Sequence, residues 1–356
     1  MLTGNNSYSG PTLVNQGLLA VNGTLASDVT VQDGGVLGGS GRIGSLTANA
    51  GATVAPGNSI GTLNMTRDVT FAAGSRYAVE AAADGSSDRI VSGGSAQIDG
   101  GEVVMLLDQQ NVLNGEGGGS AIGQYDILQA QQGISGQFDG ATTSSPFLDA
   151  TLSTQGSQLT ADVARNDTAF ASVATTQNER SVAAAADALA AGNPVYESIL
   201  ASGSAGQAQQ AFRQLSGQIH ADIASAQVND SRYLRDALNS RLRQAEGLAT
   251  APDIKADDGG AWAQFVGAWD HASGDVDATG YQASTYGVLL GLDSAYDDWR
   301  LGVATGYTRT SLDGGYGSNA DSDNYHLAAY GSKQYGALAL RAGALTPGTG
   351  LIRRAR

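Results

Sequence analysis

The sequence predicts a mainly β protein: a right-handed parallel β-solenoid stem, a helical linker, and the antiparallel strands of an incomplete transmembrane β-barrel. Three successive sequence patterns predict this fold class. Residues 1–165 are short apolar segments separated by Gly, Asn and Asp, whereas residues 168–248 are rich in Ala, Gln, Arg and Leu. From residue 259 onward, strand-length segments alternate between an apolar face and a small or polar face.

Composition excludes several classes of protein. Among 356 residues there are 50 Gly but only 6 Pro, and because no Gly-x-y period is present, collagen is excluded. The hydrophobic share of 41% is too high for a wholly disordered chain. A net charge of −15 repels phosphate backbones, so we expect no nucleic-acid partner. The absence of Cys excludes disulfides, thiolate metal sites and a Cys nucleophile.

Residues 1–75 are expected to form the solenoid stem. Their apolar segments are very short and show no helical period. Such strands, separated by Gly at near-regular intervals, indicate a solenoid in which each rung buries its apolar side on the next, although the repeat is too degenerate to count the rungs. Gly is expected wherever a tight corner needs a positive φ, at Gly17, Gly23, Gly34, Gly35, Gly44, Gly51 and Gly61.

Residues 76–165 are expected to close the stem. Their strands are longer, at 77–80, 102–107, 124–128 and 158–163. An uncovered solenoid end exposes unpaired strand edges. We therefore predict that this region is a cap on the solenoid.

Residues 166–250 are predicted to be a helical linker, and its clearest helix spans residues 216–243. Apolar residues recur there every four positions, at Ile219 and Ile223 and again from Leu234 to Leu242. These 28 residues would extend roughly 42 Å, longer than the apolar band of about 25 Å in an outer-membrane barrel. Taken alone, this pattern also fits an ordinary amphipathic helix packed on a domain.

Residues 256–344 are predicted to form part of a transmembrane β-barrel. In the segment 299–308, Trp, Leu, Val, Thr and Tyr share one face, and small or polar residues share the other. An apolar face with aromatic ends is typical of barrel strands, and so is the alternation of tight turns (296–299 and 333–336) with long loops (271–279 and 311–321). A soluble antiparallel barrel or sandwich is the alternative, which the outward aliphatic residues disfavour.

The order of these parts resembles the C-terminal part of a type V autotransporter, a Gram-negative protein that exports its own passenger. NNSYSGPTLVNQGLLAVNG (5–23) resembles the passenger-associated transport repeat of that family, and residues 29–65, which include PGNSIGTL, resemble the β-helix sequence that follows it. Residues 215–243 resemble the pore-threading helix, and AWAQFVGAWDH (261–271) resembles the first barrel strand. The resemblance covers nearly the whole chain.

The resemblance implies a stem that assists passenger folding at the cell surface, with residues 76–165 as an autochaperone-like region. It also implies a helix inside a twelve-stranded barrel in the outer membrane. The expected partners of the intact protein are outer-membrane lipid and the barrel-assembly machinery. We expect a monomer without a cofactor, a metal ion or a small-molecule substrate.

The sequence departs from this family in three places. Residues 1–10 have neither a basic nor an apolar region, so no signal peptide is expected at this N-terminus. Only four strands and the start of a fifth are recognisable, whereas such barrels need at least about 8, so we do not expect this chain to form a pore alone. Residues 345–356 are expected to be an aberrant tail, because Pro347 and a cluster of Arg interrupt the alternation; a frameshift in the gene would explain them.

The candidate site residues are four arginines of the pore helix: Arg232, Arg235, Arg241 and Arg243. Inside a lumen, Arg can pair with an inward carboxylate such as Asp293, which indicates a plug or tether. Ser59 lies in a G-x-S-x-G sequence, but its solenoid context argues against a nucleophile elbow. The Asp-rich segment 270–277, with Asp321 and Asp323, could bind Ca²⁺ weakly, although solvated loops are the preferred interpretation.

Three functions remain open from the sequence. The preferred one is the stem and translocator portion of an autotransporter, acting in self-export and not itself catalytic. The first alternative is the stem of a surface adhesin. The second is the remnant of an exported subtilisin-like serine protease whose catalytic domain is encoded upstream.

Overall fold

The structure, a computed structural model, describes residues 1–107, 120–245, 259–335 and 338–355. The chain divides into two compact units, Met1–Phe212 and Arg213–Arg356. Parallel sheets form the first unit and an antiparallel sheet dominates the second, so the predicted fold class is confirmed. Among the described helices, none is both long and apolar enough to cross a membrane.

The parallel strands of the first unit form six rungs among the described residues, three strands to a rung. Rungs one to three consist of β1 (Asn5–Asn6), β2 (Thr12–Val14), β3 (Gly17–Ala20), β4 (Thr24–Leu25), β5 (Val29–Val31), β6 (Gly35–Gly39), β7 (Arg42–Ile43), β8 (Leu46–Ala48) and β9 (Thr53–Pro56). Rungs four to six consist of β10 (Thr62–Met65), β11 (Val69–Phe71), β12 (Arg76–Ala81), β13 (Arg89–Ser92), β14 (Ala96–Ile98), β15 (Glu102–Leu107), β16 (Gly123–Ala130), β17 (Ile134–Gly136) and β18 (Gly140–Thr143).

Apolar side chains stack between rungs because the strands pair in register. Val14 pairs with Val31, Val31 with Ala48, Ala48 with Phe71 and Phe71 with Ile98. All five are buried. A three-residue strand cannot bury its own side chains, so each rung depends on its neighbours for its core.

Glycine occupies one corner of successive rungs in the left-handed region, with φ of 76° at Gly34, 76° at Gly51 and 77° at Gly74. The N–H of Gly34 donates to the carbonyl of Gly51, and that of Gly51 to the carbonyl of Gly74. The prediction of positive φ at Gly23, Gly35, Gly44 and Gly61 is wrong. At Gly23 and Gly44 glycine is needed for space, since a Cβ would lie 2.3 Å and 2.6 Å, respectively, from a backbone oxygen of the preceding rung.

The predicted boundary between stem and cap at residue 75 is wrong. Parallel pairing continues through β18, so residues 76–107 and 120–143 belong to the solenoid. The cap begins with β19 (Leu148–Gln155) and β20 (Gln158–Arg165), an antiparallel hairpin in which β20 pairs with β16. Strand length misled the prediction because a long solenoid strand and a hairpin strand show the same alternation.

The helices of the predicted linker belong to two different parts of the structure. A 3₁₀ helix (Phe170–Val173), α1 (Gln177–Asp187), α2 (Pro194–Leu200) and α3 (Ala205–Leu215) follow the hairpin. Phe170, Ile199 and Phe212 are buried in the same apolar core as the solenoid. The Arg165 guanidinium lies 5.5 Å from the ring centre of Phe147 and 5.1 Å from that of Phe170. These helices are therefore part of the cap.

Among the described residues, the second unit contains α4 (Gln218–Ala245) and five antiparallel strands in chain order. The predicted long loop at 311–321 is wrong, because only residues 314–317, which include a 3₁₀ turn (Gly315–Gly317), separate the third strand from the fourth. The strands are β21 (Gly259–Ala272), β22 (Tyr281–Tyr296), β23 (Trp299–Asp313), β24 (Ser318–Tyr335) and β25 (Leu338–Ala355). The predicted aberrant tail is wrong for the backbone, since β25 continues to Ala355. Among the described strands β25 pairs only with β24, so Pro347 lies in an edge strand, where a missing N–H is tolerated.

Asp88 is a buried carboxyl group inside the stem, 1% exposed. Its Oδ1 accepts the N–H of Gly61 at 2.8 Å, and its Oδ2 accepts the N–H of Glu80 at 2.9 Å. Burial raises the pKa of Asp88 to about 7; the two N–H donors oppose this shift but do not cancel it.

The first prediction is that Asp88 makes the stem less stable as the pH rises. Its folded-state pKa lies above the unfolded value of 3.8, so its contribution is complete below pH 3.8 and is lost as the pH rises to about 7. Chemical unfolding of the chain at pH 5 and pH 8, followed by circular dichroism, measures this loss. Asp88→Asn should flatten the difference, and Asp84→Asn, in the same loop, should retain it. An unchanged pH dependence in Asp88→Asn would contradict the prediction.

The second prediction concerns the stacked core. Phe71→Ala should lower the free energy of unfolding of the stem by about 3–5 kcal/mol, because it opens a cavity between adjacent rungs. Thr70→Ala, on the outward side of the same strand, should cost no more than about 1 kcal/mol. Equal effects of the two substitutions in urea unfolding would refute the stacked core.

Candidate functional site

One face of the antiparallel sheet is apolar and exposed. Phe265 is 85% exposed, and Leu292 and Leu327 are each 60% exposed. On β23, Trp299 and Tyr307 mark the two ends of this outward face, and the segment 299–307 has about the length of a tilted transmembrane strand. Aliphatic residues between aromatic ends make this surface suited to lipid.

The opposite, inward face is built from small and polar residues, and α4 lies against it. Glycine gives neighbouring side chains room on this face. A Cβ at Gly302 would lie 2.4 Å from the Tyr330 ring, and one at Gly306 would lie 2.3 Å from Cδ2 of Leu289. Tyr330 and Leu289 are buried together with Leu234 and Leu238 of the helix. The small residues therefore allow the wall to pack against α4.

A buried ion-pair cluster joins the C-terminal half of α4 to this wall. Arg241 donates to Asp293 through Nε (2.8 Å to Oδ2) and Nη2 (3.0 Å to Oδ1). Arg300, on β23, donates to Oδ1 of Asp293 at 2.6 Å. The Asp293 side chain is fully buried, and those of Arg241 and Arg300 are about one-tenth exposed. Bidentate Arg–carboxylate pairing defines orientation as well as adding energy.

Aromatic side chains complete this cluster. The Tyr330 hydroxyl donates to Oδ2 of Asp293 at 3.0 Å, and the indole N–H of Trp262 donates to the Tyr330 oxygen at 2.7 Å. Asp293 thus accepts hydrogen bonds from β23, β24 and α4. A buried carboxylate satisfied by so many donors stabilises a docked helix, because removing one partner leaves charge uncompensated.

Two further contacts hold the helix near the loop between β21 and β22. Arg232 pairs with Asp270 of β21 at 2.6 Å, and the Tyr233 hydroxyl donates to the same carboxylate. Nε2 of Gln218 donates to the carbonyl of Thr279 at 2.7 Å. The helix therefore contacts the wall at both ends and between them.

Asp230, which the sequence analysis missed, lies in the middle of α4 and is 5% exposed. Its Oδ1 accepts the hydroxyl of Thr285 at 2.9 Å; its Oδ2 accepts the hydroxyl of Thr310 and, at 3.4 Å, the amide of Asn324. One signal was available. Asp230 lies four positions before Leu234, so it interrupts the apolar face of the helix with a charge.

The four predicted arginines have different surroundings. Arg241 and Arg232 pair with wall carboxylates, Arg241 with Asp293 and Arg232 with Asp270. Arg235 and Arg243 are exposed, and within the described part of the chain neither makes an ion pair. Sequence spacing could not separate these pairs, because which face of the helix meets the wall depends on the sheet.

The other sequence candidates lie in a solenoid turn and near the loop between β21 and β22. Ser59 lies in the turn between β9 and β10, not between a strand and a helix as a nucleophile elbow requires. Asp270 pairs with Arg232, and Asp275 accepts the N–H groups of Asp277 and Ala278 within its loop. Across the ranges that the structure describes, no cluster of three metal-ligating side chains occurs.

Comparison with known proteins identifies similarities in both units. Residues 261–346 match the family model of the autotransporter β-domain. Two proteins of Serratia marcescens, each named extracellular serine protease, are 48% identical over 386 residues and 44% identical over 385 residues. Each match covers 96% of this chain and 37% of the relative, so the chain spans little more than a third of these relatives.

The third prediction concerns the buried ion pairs. Arg241→Gln should weaken docking of α4 by about 3–5 kcal/mol, because it leaves Asp293 partly uncompensated in a buried position. Limited proteolysis of the chain in detergent should then cut within residues 218–245 much faster. The matched control is Arg243→Gln, an exposed Arg on the same helix, which should change the rate little. Equal cutting of both variants would contradict the role of Arg241.

Proposed function

We propose that this chain is the stem and translocator portion of an outer-membrane autotransporter, because residues 261–346 match the family model of the autotransporter β-domain. It acts in export of a passenger to the cell surface. Strands β21–β25 supply part of the barrel wall, and α4 lies in the lumen as a plug and tether. The chain acts within a longer protein, since its relatives are much longer.

The observation that carries this proposal is the buried cluster of Arg241, Asp293 and Arg300. It lies between a helix of 28 residues and the inward face of a sheet whose other face is apolar. Ion pairs that are out of contact with lipid and enclosed by a wall are expected in a barrel lumen. An ordinary amphipathic helix on a soluble domain would present its apolar face to the sheet, without a central buried carboxylate.

The stem assists folding of the passenger at the cell surface in this proposal. The solenoid is closed by the hairpin of β19 and β20 together with the helices that bury Phe170 and Phe212. A closed end protects the last rung and gives the stacking of rungs a place to begin. Outer-membrane lipid and the barrel-assembly machinery are the proposed partners of the intact monomer.

The chain itself is proposed to be non-catalytic. A serine protease is the passenger favoured here over an adhesin, because both Serratia relatives are named extracellular serine proteases. Its catalytic residues would lie in the remainder of the full-length protein. Ser59, in a solenoid turn, has no part in this proposal.

Planar-bilayer recording of the full-length protein tests the role of α4. Deletion of residues 218–245 should leave the barrel inserted but raise its conductance and lower its stability, because the helix no longer fills the lumen. A protein with Arg243→Gln serves as the control and should keep the low conductance. Equal conductance with and without the helix would refute the plug.

Surface exposure tests the export function independently. Protease added to intact cells should remove an epitope placed at residue 1 of the stem in the full-length protein. An epitope that remains protected while the barrel is in the outer membrane would refute export of the stem.

A further inference from the structure

The inward residues of β22, β23 and β24 form rows of alternating chemistry, because these strands pair in register. The rows are counted from the end of the sheet at which residues 273–280 join β21 to β22. In that order they are Ala283, Leu312 and Ala320; Thr285, Thr310 and Ser322; Gly287, Thr308 and Asn324; Leu289, Gly306 and His326; Gly291, Ala304 and Ala328; and Asp293, Gly302 and Tyr330. The second and third rows together are called the hydroxyl band. An apolar row lies above this band, and mixed and apolar rows separate it from Asp293.

The helix carries a matching pattern. Ala226 packs in the apolar cluster of the first row, with Ala283 and Leu312. Asp230 lies in the hydroxyl band. Leu234 and Leu238 pack in the cluster that contains Ala304 and Ala328. At one axial position of the helix, apolar helix residues therefore lie beside apolar wall rows, and the carboxylate of Asp230 lies beside the hydroxyl band.

Sliding the helix toward the loop between β21 and β22 breaks this agreement at Asp230. One helical turn is about 5.4 Å, close to the spacing of about 6.7 Å between alternate residues of a strand. A one-turn shift toward the loop between β21 and β22 therefore moves the Asp230 carboxylate from the hydroxyl band to the row of Ala283, Leu312 and Ala320. A carboxylate beside apolar side chains loses its hydrogen bonds at a large cost.

Asp230 restricts sliding more tightly than the arginines do. Asp, Thr and Asn are short side chains, so the oxygens of Asp230, Thr285 and Thr310 can move little while the backbones stay in place. The Arg241 side chain is long and flexible, and it can follow Asp293 over a larger displacement of the helix. The three donors to Asp230 are uncharged, so no long-range attraction replaces the hydrogen bonds when they separate.

We propose that Asp230 sets the axial register at which the exported chain comes to rest in the pore, through the hydroxyl band. It is a positioning residue, distinct from the Arg241 tether. This inference rests on the proposed location of α4 in a lumen. The test of this inference measures the axial position of the helix, and not conductance or export. The inference and the proposed function can therefore fail independently.

The experiment places the two anchors in conflict. Four Ala inserted after Asn239 add about one helical turn between Asp230 and Arg241, so both cannot keep their partners in one straight helix. The chain contains no Cys, so engineered disulfides report position. The upper pair is Ala226→Cys with Ala283→Cys, and the lower pair is Leu242→Cys with Ala304→Cys, each taken from residues of one apolar cluster. Each pair is oxidised in the full 356-residue chain in detergent micelles, and its yield is measured on gels.

With the insertion alone, the upper pair should keep its yield, because Asp230 holds the upper half of the helix. Adding Asp230→Leu should lower that yield about tenfold, the scale expected when hydrogen bonds to a buried charged group no longer favour one position. The lower pair should persist in the same variant, which shows that the helix is still docked. Asp230→Asn should rescue the upper pair, because its amide can exchange hydrogen bonds with Thr hydroxyls.

Asp236→Leu is the matched control, since Asp236 is an exposed carboxylate on the same helix. It should leave the upper pair intact in the inserted chain. Loss of the upper pair on insertion alone would overturn the proposal in favour of Arg241, and so would retention of that pair in Asp230→Leu. Loss of both pairs in Asp230→Leu would also overturn it, because Asp230 would then be needed for docking and not for register.

Discussion

No single strand of this protein can bury its own apolar side chains or satisfy its own backbone, and the whole structure depends on this constraint. In the stem, rungs such as β5, β8 and β11 obtain both from the rungs above and below. In the second unit, β22 and β23 pair along their full lengths, because unpaired N–H and C=O groups are costly where lipid replaces water. In both units, repeated strands satisfy one another's backbone groups. The unpaired strand edges therefore lie at the ends of each sheet.

The end of the stem is closed by elements of a different kind. The hairpin of β19 and β20 reverses the strand direction, which stops further parallel stacking, and helices then cover the apolar surface that remains. Arg165 lies at this junction, beside the rings of Phe147 and Phe170 and hydrogen-bonded to the carbonyl of Phe147. A cation beside aromatic rings can be partly buried because the rings and the backbone oxygen replace part of its water.

The wall of the second unit separates two environments by the alternation of each strand. Its outward residues are aliphatic with aromatic ends, and its inward residues are small, hydroxylated or charged. The inward charges are placed where helix α4 supplies the opposite charge, as Arg241 does for Asp293. Small inward residues such as Gly302 and Gly306 admit large neighbouring side chains, so a polar cluster and apolar layers can coexist on one face.

The sequence by itself determined the fold class and the face of each wall strand, because both follow from local periodicity. It could not determine where the solenoid ends, since strand length is the same in a rung and in a hairpin. It also could not separate the capping helices from α4, or Arg241 from Arg243. Only the tertiary structure decided these points, and it revealed Asp230 among the hydroxyls of Thr285 and Thr310. Residues on three elements far apart in the chain meet there, and their register along the sheet is set by strand pairing, which no local pattern encodes.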